Sequence, residues 1–280
     1  MKLSEIHIRD PFILPDHGTY YLYGTRGPTC WGEADGFDVY TSADLSDWSG
    51  PYPVFTRPDG FWADRNFWAP EVHVYHGRYF MLASFKSSCQ CRGTQILAAD
   101  SPMGPFSPHS DGPVTPGDWE CLDGTLYVEN GKPYMVFCHE WLQVKDGEMC
   151  AIPLRDDLRA AEGEPVVLFR ASQPDWADRD AENYVTDGPF LHRTSTGELL
   201  MFWSSSRGGV YCQTISRSSD GTLFGQWRHD PKLLIDCDGG HGMVFRTFDG
   251  RLLFTCHQPN QHPLERPQLF DLAERDKSLC

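Results

Sequence analysis

A hairpin pattern that occurs five times along the chain is the feature that most restricts its fold. Its clearest copy opens at Asp187, runs as a short apolar strand, turns at Gly197 and returns through an aromatic strand that contains Trp203. β-Branched and aromatic residues on both sides of such a turn predict an antiparallel hairpin. The other four copies have the same order of ionisable residue, strand, glycine turn and strand, and they open at Asp10, Glu71, Asp123 and His241.

The spacing of the copies predicts how the hairpins pack. They begin at intervals of roughly 52 to 64 residues, near the range of propeller repeats. One hairpin cannot bury its own apolar faces, so the copies must pack against one another. Radial packing gives a β-propeller, in which the first strand of every blade lines a central channel. We therefore predict an all-β fold, a five-bladed β-propeller that forms one domain over residues 1–280, with blades starting near residues 10, 71, 123, 187 and 241.

The ionisable residue that opens each copy is expected at one mouth of the channel. Five such residues would converge there: Asp10, Glu71, Asp123, Asp187 and His241. The structural alternative is that each acid only stabilises a turn, since Asp is favoured in turns. Their common phase with the repeat favours a functional site, because like charges are rarely brought together unless they are used.

Charge and composition exclude several kinds of partner. A formal net charge of −15 opposes binding to nucleic acid or to an anionic membrane. No stretch approaches the ~20 apolar residues of a membrane span. The first ten residues lack the apolar segment of a secretory signal. The ten cysteines are scattered, so we expect reduced thiols and a cytoplasmic protein.

The converging acids match the needs of glycoside hydrolysis. That reaction requires one carboxylic acid to protonate the leaving oxygen and one carboxylate to activate water or attack carbon. A third carboxylate nearby raises the pKa of the acid by repulsion. The sequence has no Gly-x-Ser-x-Gly elbow and no glycine-rich phosphate loop, which disfavours serine hydrolase and nucleotide chemistry.

Aromatic, acidic and basic residues near the repeats are candidates for substrate binding. Trp68 and Trp141 are expected at the mouth, where an indole ring would stack on a sugar; packing between blades is the alternative for each. Glu71 and Arg266 complete the set. The basic residues expected near the mouth are too scattered to decide on a phosphate pocket, and these are Arg9, Arg65, Arg207 and Arg266.

The ordered set of motifs resembles glycoside hydrolase family 43. The matching stretches lie at residues 9–12, 67–72, 122–124, 186–190 and 240–242. The resemblance implies a five-bladed propeller that inverts configuration at furanosides and xylosides. It implies Asp10 as general base, Asp123 as pKa modulator and Asp187 as general acid. It also implies that His241 lies on the propeller axis, where some members hold calcium or another ion; no cofactor is otherwise required.

One residue departs from that family. The general acid is usually Glu, and here the position holds Asp187, whose carboxyl is retracted by about 1.5 Å, the length of one carbon–carbon bond. A shifted backbone would compensate for the shorter side chain. Glu182, five residues upstream, is the alternative acid.

We therefore expect an inverting glycosidase that releases a terminal furanosyl or pentosyl residue from short oligosaccharides. An α-L-arabinofuranosidase is the first expectation, with β-xylosidase, galactofuranosidase and arabinanase as alternatives. A sugar transferase or phosphorylase is the alternative reaction, and a propeller that binds carbohydrate without catalysis is the alternative from another class. The sugar, the linkage, exo or endo action, the ion and the oligomeric state stay open.

Overall fold

Five antiparallel sheets arranged in a ring form the protein, which confirms the predicted five-bladed β-propeller. The computed structural model describes residues 1–272. Four sheets have four strands, and the fifth has three among the described residues. The first strand of every sheet contacts the first strands of both neighbouring sheets, and this closes the ring. No helix within residues 1–272 is long and apolar enough to cross a membrane.

The nineteen described strands follow one another through the blades in chain order. Their bounds are β1 (Ile8–Asp16), β2 (Thr19–Arg26), β3 (Gly36–Ser42) and β4 (Ser49–Thr56) in the first blade; β5 (Arg65–Tyr75), β6 (Arg78–Lys86), β7 (Gly93–Ala99) and β8 (Ser107–Pro113) in the second; β9 (Cys121–Glu129), β10 (Lys132–His139), β11 (Glu148–Pro153) and β12 (Val166–Arg170) in the third; β13 (Asp187–Arg193), β14 (Leu199–Arg207), β15 (Val210–Ser218) and β16 (Trp227–His229) in the fourth; and β17 (Gly240–Arg246), β18 (Leu252–Gln258) and β19 (Arg266–Asp271) in the fifth. One short α-helix of the described residues, α1 (Trp141–Val144), follows β10.

The hydrophobic core lies between adjacent blades. Side chains alternate along a strand, so one strand serves both of its neighbours. In β10, Met135 packs in the cluster shared with the second blade, while Val136 packs in the cluster shared with the fourth. In β14, Trp203 packs in the cluster shared with the third blade, and Phe202 packs in the cluster shared with the fifth. Burial of each such side chain stabilises the fold by about 1.5–3 kcal/mol.

A β-bulge interrupts the first strand of every blade at the same level. Two residues of the first strand lie opposite one residue of the second strand, and the bulged pairs are residues 10–11, 69–70, 123–124, 188–189 and 241–242. The leading residue of each pair has a left-handed backbone, with φ of 52° at Asp10, 47° at Ala69, 58° at Asp123, 50° at Gly188 and 51° at His241. These five residues are therefore the equivalent positions of the repeat.

This register corrects the predicted phase in two blades. Ala69 takes the equivalent position in the second blade, so Glu71 lies two residues beyond it, in the middle of β5. Asp187 lies one residue before the equivalent Gly188. The predicted alignment was anchored on ionisable side chains, whereas the bulge sets the structural phase. The equivalent positions consequently carry two aspartates and a histidine, together with Ala69 and Gly188.

Candidate active site

A cavity of about 420 Å³ opens at the end of the channel where the bulges lie. It brings together Asp10, Asp123 and Asp187 with His241, as the sequence predicted. Trp68 and Trp141 also line it. Residues at the equivalent positions line the cavity, and so do residues that directly precede them. The preceding residues are Arg9, Trp68, Leu122 and Asp187.

Hydrogen bonds between blades hold the equivalent positions. In four cases a side chain on the second strand of one blade accepts the backbone N–H of the next blade's leading bulge residue. These contacts are Ala69 to Thr25 Oγ1 at 2.7 Å, Asp123 to Ser84 Oγ at 2.8 Å, His241 to Ser204 Oγ at 2.7 Å and Asp10 to His257 Nδ1 at 3.2 Å. In the fifth case Gly188 donates instead to Asp123 Oδ2 at 3.0 Å. The ring of bonds therefore includes a carboxylate of the site.

Asp10 lies beside two histidines and an arginine, His241, His257 and Arg9. Thr25 Oγ1 donates to Asp10 Oδ2 at 2.6 Å, and His241 Nδ1 lies 3.2 Å from Oδ1. Burial by itself would raise the pKa of Asp10, but His241, His257 and Arg9 outweigh burial and hold that pKa below its usual value. Asp10 is therefore ionised at neutral pH.

His257 is neutral beside Asp10. Its Nδ1 accepts the Asp10 backbone N–H, so the proton lies on Nε2, which donates to Asn260 Oδ1 at 3.0 Å. Burial, with the nearby charge of Arg9, lowers the pKa of His257 to about 4. At neutral pH His257 therefore adds no positive charge beside Asp10, whereas Arg9 does.

The pKa of Asp123 lies between those of Asp10 and Asp187. Its Oδ2 accepts the Gly188 N–H and lies 3.7 Å from His241 Nδ1. Burial, together with the negative charge of Asp10, raises the pKa of Asp123 to about 6, against the opposing effect of His241. Asp123 therefore changes its charge close to neutral pH.

Asp187 is the protonated member of the set. Tyr211 donates its hydroxyl hydrogen to Asp187 Oδ2 at 3.1 Å. Although Asp187 keeps part of its surface open to the cavity, burial raises its pKa well above the usual value, and the charges of Asp123 and Asp10 raise it further. Three identical side chains thus have three different proton affinities, which is the pattern of an acid and a base at one site.

The sequence analysis did not identify Glu140, a buried carboxyl in the cavity wall between β10 and α1. Burial raises the pKa of Glu140, and Arg92 Nε lies 3.7 Å from its Oε2. The Arg92 guanidinium also lies 3.7 Å from the centre of the Trp68 ring. Glu140 directly precedes the predicted Trp141. Its position just after the second strand of the blade was the sequence signal that could have identified it.

Arginine and tryptophan side chains form another wall of the cavity. The Arg9 guanidinium lies 5.0 Å from the centre of the exposed Trp31 ring, and its NH2 donates to Asn260 Oδ1 at 2.6 Å. Trp31 meets Trp68 edge to face at 5.4 Å. Trp68 Nε1 donates to the Cys30 carbonyl, which fixes the orientation of its ring.

Two of the predicted substrate-binding residues lie away from this cavity. Glu71 is buried, and its Oε2 lies 2.9 Å from His73 Nε2. Arg266 opens β19 and donates to three backbone carbonyls, those of Ser4, Pro263 and Glu265. Its guanidinium therefore bonds to the N-terminal segment and to the loop before β19, and it does not line the cavity. Glu182, the alternative acid, is exposed and does not line the cavity.

His241 lies in the cavity, but its surroundings do not form a ligand set for an ion. Its Nδ1 faces the carboxylates of Asp10 and Asp123. Among the described residues, the cluster of ligand atoms close enough to hold a metal does not include His241. Calcium takes six to eight oxygen ligands, waters among them, so the residues around His241 do not by themselves define a calcium site. The axial ion remains a prediction, and no chemical step depends on it.

Comparisons with known proteins agree on one family. The model of glycosyl hydrolases family 43 matches residues 3–274. The crystal structure of an endo-arabinase from Bacteroides thetaiotaomicron VPI-5482 is 38% identical, with a TM-score of 0.91, and the match covers 100% of this chain and 99% of that one. A thermostable family-43 glycoside hydrolase, 24% identical over 96% of this chain and 91% of its own, has a TM-score of 0.84 and supports the fold.

Two curated relatives match over shorter ranges. The extracellular endo-alpha-(1->5)-L-arabinanase 1 of Bacillus subtilis (strain 168) is 26% identical over 152 residues, which is 49% of this chain and 45% of the relative. The probable arabinan endo-1,5-alpha-L-arabinosidase C of Aspergillus clavatus is 23% identical over 220 residues, 73% of this chain and 64% of the relative. The chain thus spans less than two thirds of the length of both.

Proposed function

Because the chain belongs to glycosyl hydrolases family 43, we propose that its cavity hydrolyses an O-glycosidic bond with inversion of configuration. Family 43 is a family of glycosidases, which confirms the family and the enzyme class predicted from the sequence. The observation that supports the proposal is the difference in proton affinity between Asp10 and Asp187 in one cavity. Hydrolysis requires a base that is ionised and an acid that is protonated at the same pH.

The proposed reaction assigns one step to each aspartate. Ionised Asp10 takes a proton from a water molecule as that water attacks the anomeric carbon. Protonated Asp187 gives its proton to the leaving oxygen as the carbon–oxygen bond breaks. Asp123 raises the pKa of Asp187 through its negative charge and accepts a hydrogen bond from the Gly188 N–H. Exchange of protons with solvent restores both groups. Inversion requires the two carboxyls to be about 6.5–9.5 Å apart.

The placement of Glu182 favours Asp187 as the acid. Glu182 is exposed outside the cavity, whereas Asp187 is inside it and has a raised pKa. Glu140 is a further carboxyl of the cavity with a raised pKa, besides Asp123 and Asp187, and it replaces Glu182 as the alternative acid.

For the substrate we propose α-1,5-linked arabinan and the oligosaccharides derived from it. The names of the Bacteroides, Bacillus and Aspergillus relatives support this choice. The same names favour cleavage within the chain over the terminal release expected from the sequence. The walls that Trp31, Trp68 and Trp141 contribute suit stacking against neutral sugars. A cytoplasmic location is likewise retained as a proposal.

Product lengths from linear arabino-oligosaccharides test both parts of the proposal. Cleavage within the chain should convert arabinopentaose first to arabinobiose and arabinotriose, whereas terminal release should give arabinose and arabinotetraose. The matched control is Asp10→Asn, which should give neither. Binding of arabinopentaose without any product would favour the alternative of a non-catalytic sugar-binding propeller. Activity only on xylo-oligosaccharides would contradict the proposed sugar.

A further inference from the structure

Two histidines and a glutamate meet where the first and last blades join. His7 directly precedes β1, while His262 and Glu265 lie in the segment between β18 and β19. His7 Nε2 and His262 Nδ1 lie 3.4 and 3.5 Å from the same atom, Glu265 Oε2. All three ligand atoms lie within 4.8 Å of one another.

These separations fit a shared ion better than hydrogen bonds. An ordinary N–H···O bond spans about 2.7–3.2 Å, so both histidine contacts are long. A tetrahedral ion with bonds of about 2.0–2.2 Å places its nitrogen and oxygen ligands about 3.3–3.6 Å apart. The observed spacings of 3.4 and 3.5 Å from Glu265 Oε2 to the two ring nitrogens fall within that range.

The Cys30 thiol lies beside the cluster, near His262, but its sulfur is not among the ligand atoms that all lie within 4.8 Å of one another. Its sulfur lies 3.7 Å from His262 Nδ1, and the thiol donates to the Gly27 carbonyl at 3.0 Å. Bonds of about 2.1 Å to nitrogen and 2.3 Å to sulfur place these two ligands about 3.6 Å apart on a tetrahedral ion. Burial raises the pKa of Cys30 to about 11, so a thiolate here needs the charge of a bound cation, and its proton leaves to solvent.

We propose that His7, His262 and Glu265 bind a zinc-like divalent cation, and that the Cys30 side chain turns toward the bound ion as the fourth ligand. Nitrogen, sulfur and carboxylate donors in a tetrahedral arrangement are typical of zinc. The side chain of His262 is 38% exposed and that of His7 is 23% exposed, which gives the ion a path from solvent, while Glu265 is fully buried.

The surroundings of Glu265 support a bound cation. Its second oxygen, Oε1, accepts a hydrogen bond from Arg9 NH1 at 2.6 Å, which orients the carboxylate as second-sphere partners of metal ligands do. The ion would join the segment before β1 to the last blade, which has three described strands. Because Arg9 lines the cavity, the same ion would also support one of its walls.

Metal titration of the full-length protein tests this proposal. Protein stripped with a chelator should bind one equivalent of Zn²⁺ and melt several degrees higher with it, since a ligand of the native state stabilises that state. Co²⁺ should produce visible bands of tetrahedral coordination and a near-ultraviolet band from thiolate. Cys30→Ser should lose the near-ultraviolet band and keep visible bands.

Variants of the exposed ligands provide the control. His7→Ala and His262→Ala should each weaken Zn²⁺ binding at least about 10-fold, the lower range for loss of a metal-site partner. His17→Ala, at a histidine side chain that is 90% exposed and remote from the cluster, should bind like the parent. Circular dichroism confirms that each variant is folded.

Equal Zn²⁺ binding by the parent and by a His7→Ala/His262→Ala double variant, or no binding by the parent, would overturn the proposal. A near-ultraviolet band that persists in Cys30→Ser would remove Cys30 from the ligand set. None of these measurements depends on hydrolysis.

Discussion

Three aspartates with the same side chain acquire different proton affinities from their neighbours. Asp10 has Arg9 and His241 beside it, and its pKa is lowered despite burial. Asp187 has Asp123 and Asp10 as its charged neighbours, and burial and repulsion both raise its pKa. The difference therefore arises at the scale of single contacts. It gives the cavity a base and an acid over the same range of pH.

Asp123→Asn should change the pH dependence of hydrolysis. Above the Asp123 pKa of about 6, its negative charge raises the pKa of Asp187. Without that charge Asp187 ionises at lower pH, so the basic limb of the pH–rate profile should move to lower pH, by roughly one unit. The measurement is kcat/KM from pH 4 to 9 for parent and variant. A basic limb that stays in place would show that Asp123 does not tune the acid.

At the residue scale the sequence predicted Asp10, Asp123, Asp187 and His241 in the cavity, because their motifs are local. It did not predict Glu140 or the pairing of Arg92 with Trp68, because these depend on contacts between distant segments. It placed four arginines near the mouth; Arg9 lines the cavity, whereas Arg65, Arg207 and Arg266 do not. A pattern along the chain cannot show which of several arginine side chains donates its hydrogen bonds to backbone carbonyls.

The bulge in each first strand is the element that builds the site. It turns the side chains of Asp10, Asp123 and His241 into the cavity at a backbone conformation that residues with a Cβ seldom adopt. The sequence predicted the strands but not the bulges, since an extra residue in a strand leaves no fixed sequence signal. For this reason Glu71 was assigned to the repeat position that Ala69 occupies in the structure.

Gly188→Ala should disrupt the site through His241. A Cβ at Gly188 would lie 2.6 Å from His241 Cδ2 and 2.7 Å from Cγ, so the ring must move. We expect kcat to fall roughly 100-fold, the usual effect of misplacing a catalytic group by about 1 Å. The control is Gly197→Ala, because Gly197 also has a positive φ, 86°, but open space around its Cβ position. That control should retain kcat and lose only about 1–2 kcal/mol of stability. Similar kcat values for the two variants would contradict a role for the His241 position.

Cys138→Ser should act on the same network with a smaller effect. Cys138 lies opposite Leu122, the place that Thr25, Ser84, Ser204 and His257 take in the other blades. Its thiol is a weak acceptor, which leaves the Gly188 N–H for Asp123. A serine hydroxyl would compete for that N–H and raise the pKa of Asp123, so the inflection of the pH–rate profile near pH 6 should move to higher pH by roughly half a unit. Cys150→Ser, at a buried thiol of β11, is the control for a buried hydroxyl. A shift of equal size in both variants would argue against the network.

At the scale of the whole molecule, repetition made the fold predictable. Five similar hairpins of similar spacing leave few ways to bury their apolar faces, and the ring of sheets is the one that forms. The contacts that close the ring were not predictable, because they join residues near the N-terminus to residues around 260. The pairing of Arg9 with Glu265 and Asn260 across that junction is an example.

The rate of Asp187→Ala on two substrates tests the central assignment, Asp187 as acid and Asp10 as base. The substrates carry the same α-L-arabinofuranosyl group and differ only in the acidity of the leaving group. Protonation of the leaving oxygen is typically worth about 10²–10⁴-fold and matters only when that oxygen is basic. Asp187→Ala should therefore lose that factor on an alkyl or sugar leaving group and keep most of its rate on a nitrophenyl one. Asp10→Asn, the control, should lose activity on both. Equal losses on both substrates for Asp187→Ala would contradict the assignment and transfer the acid role to Glu140.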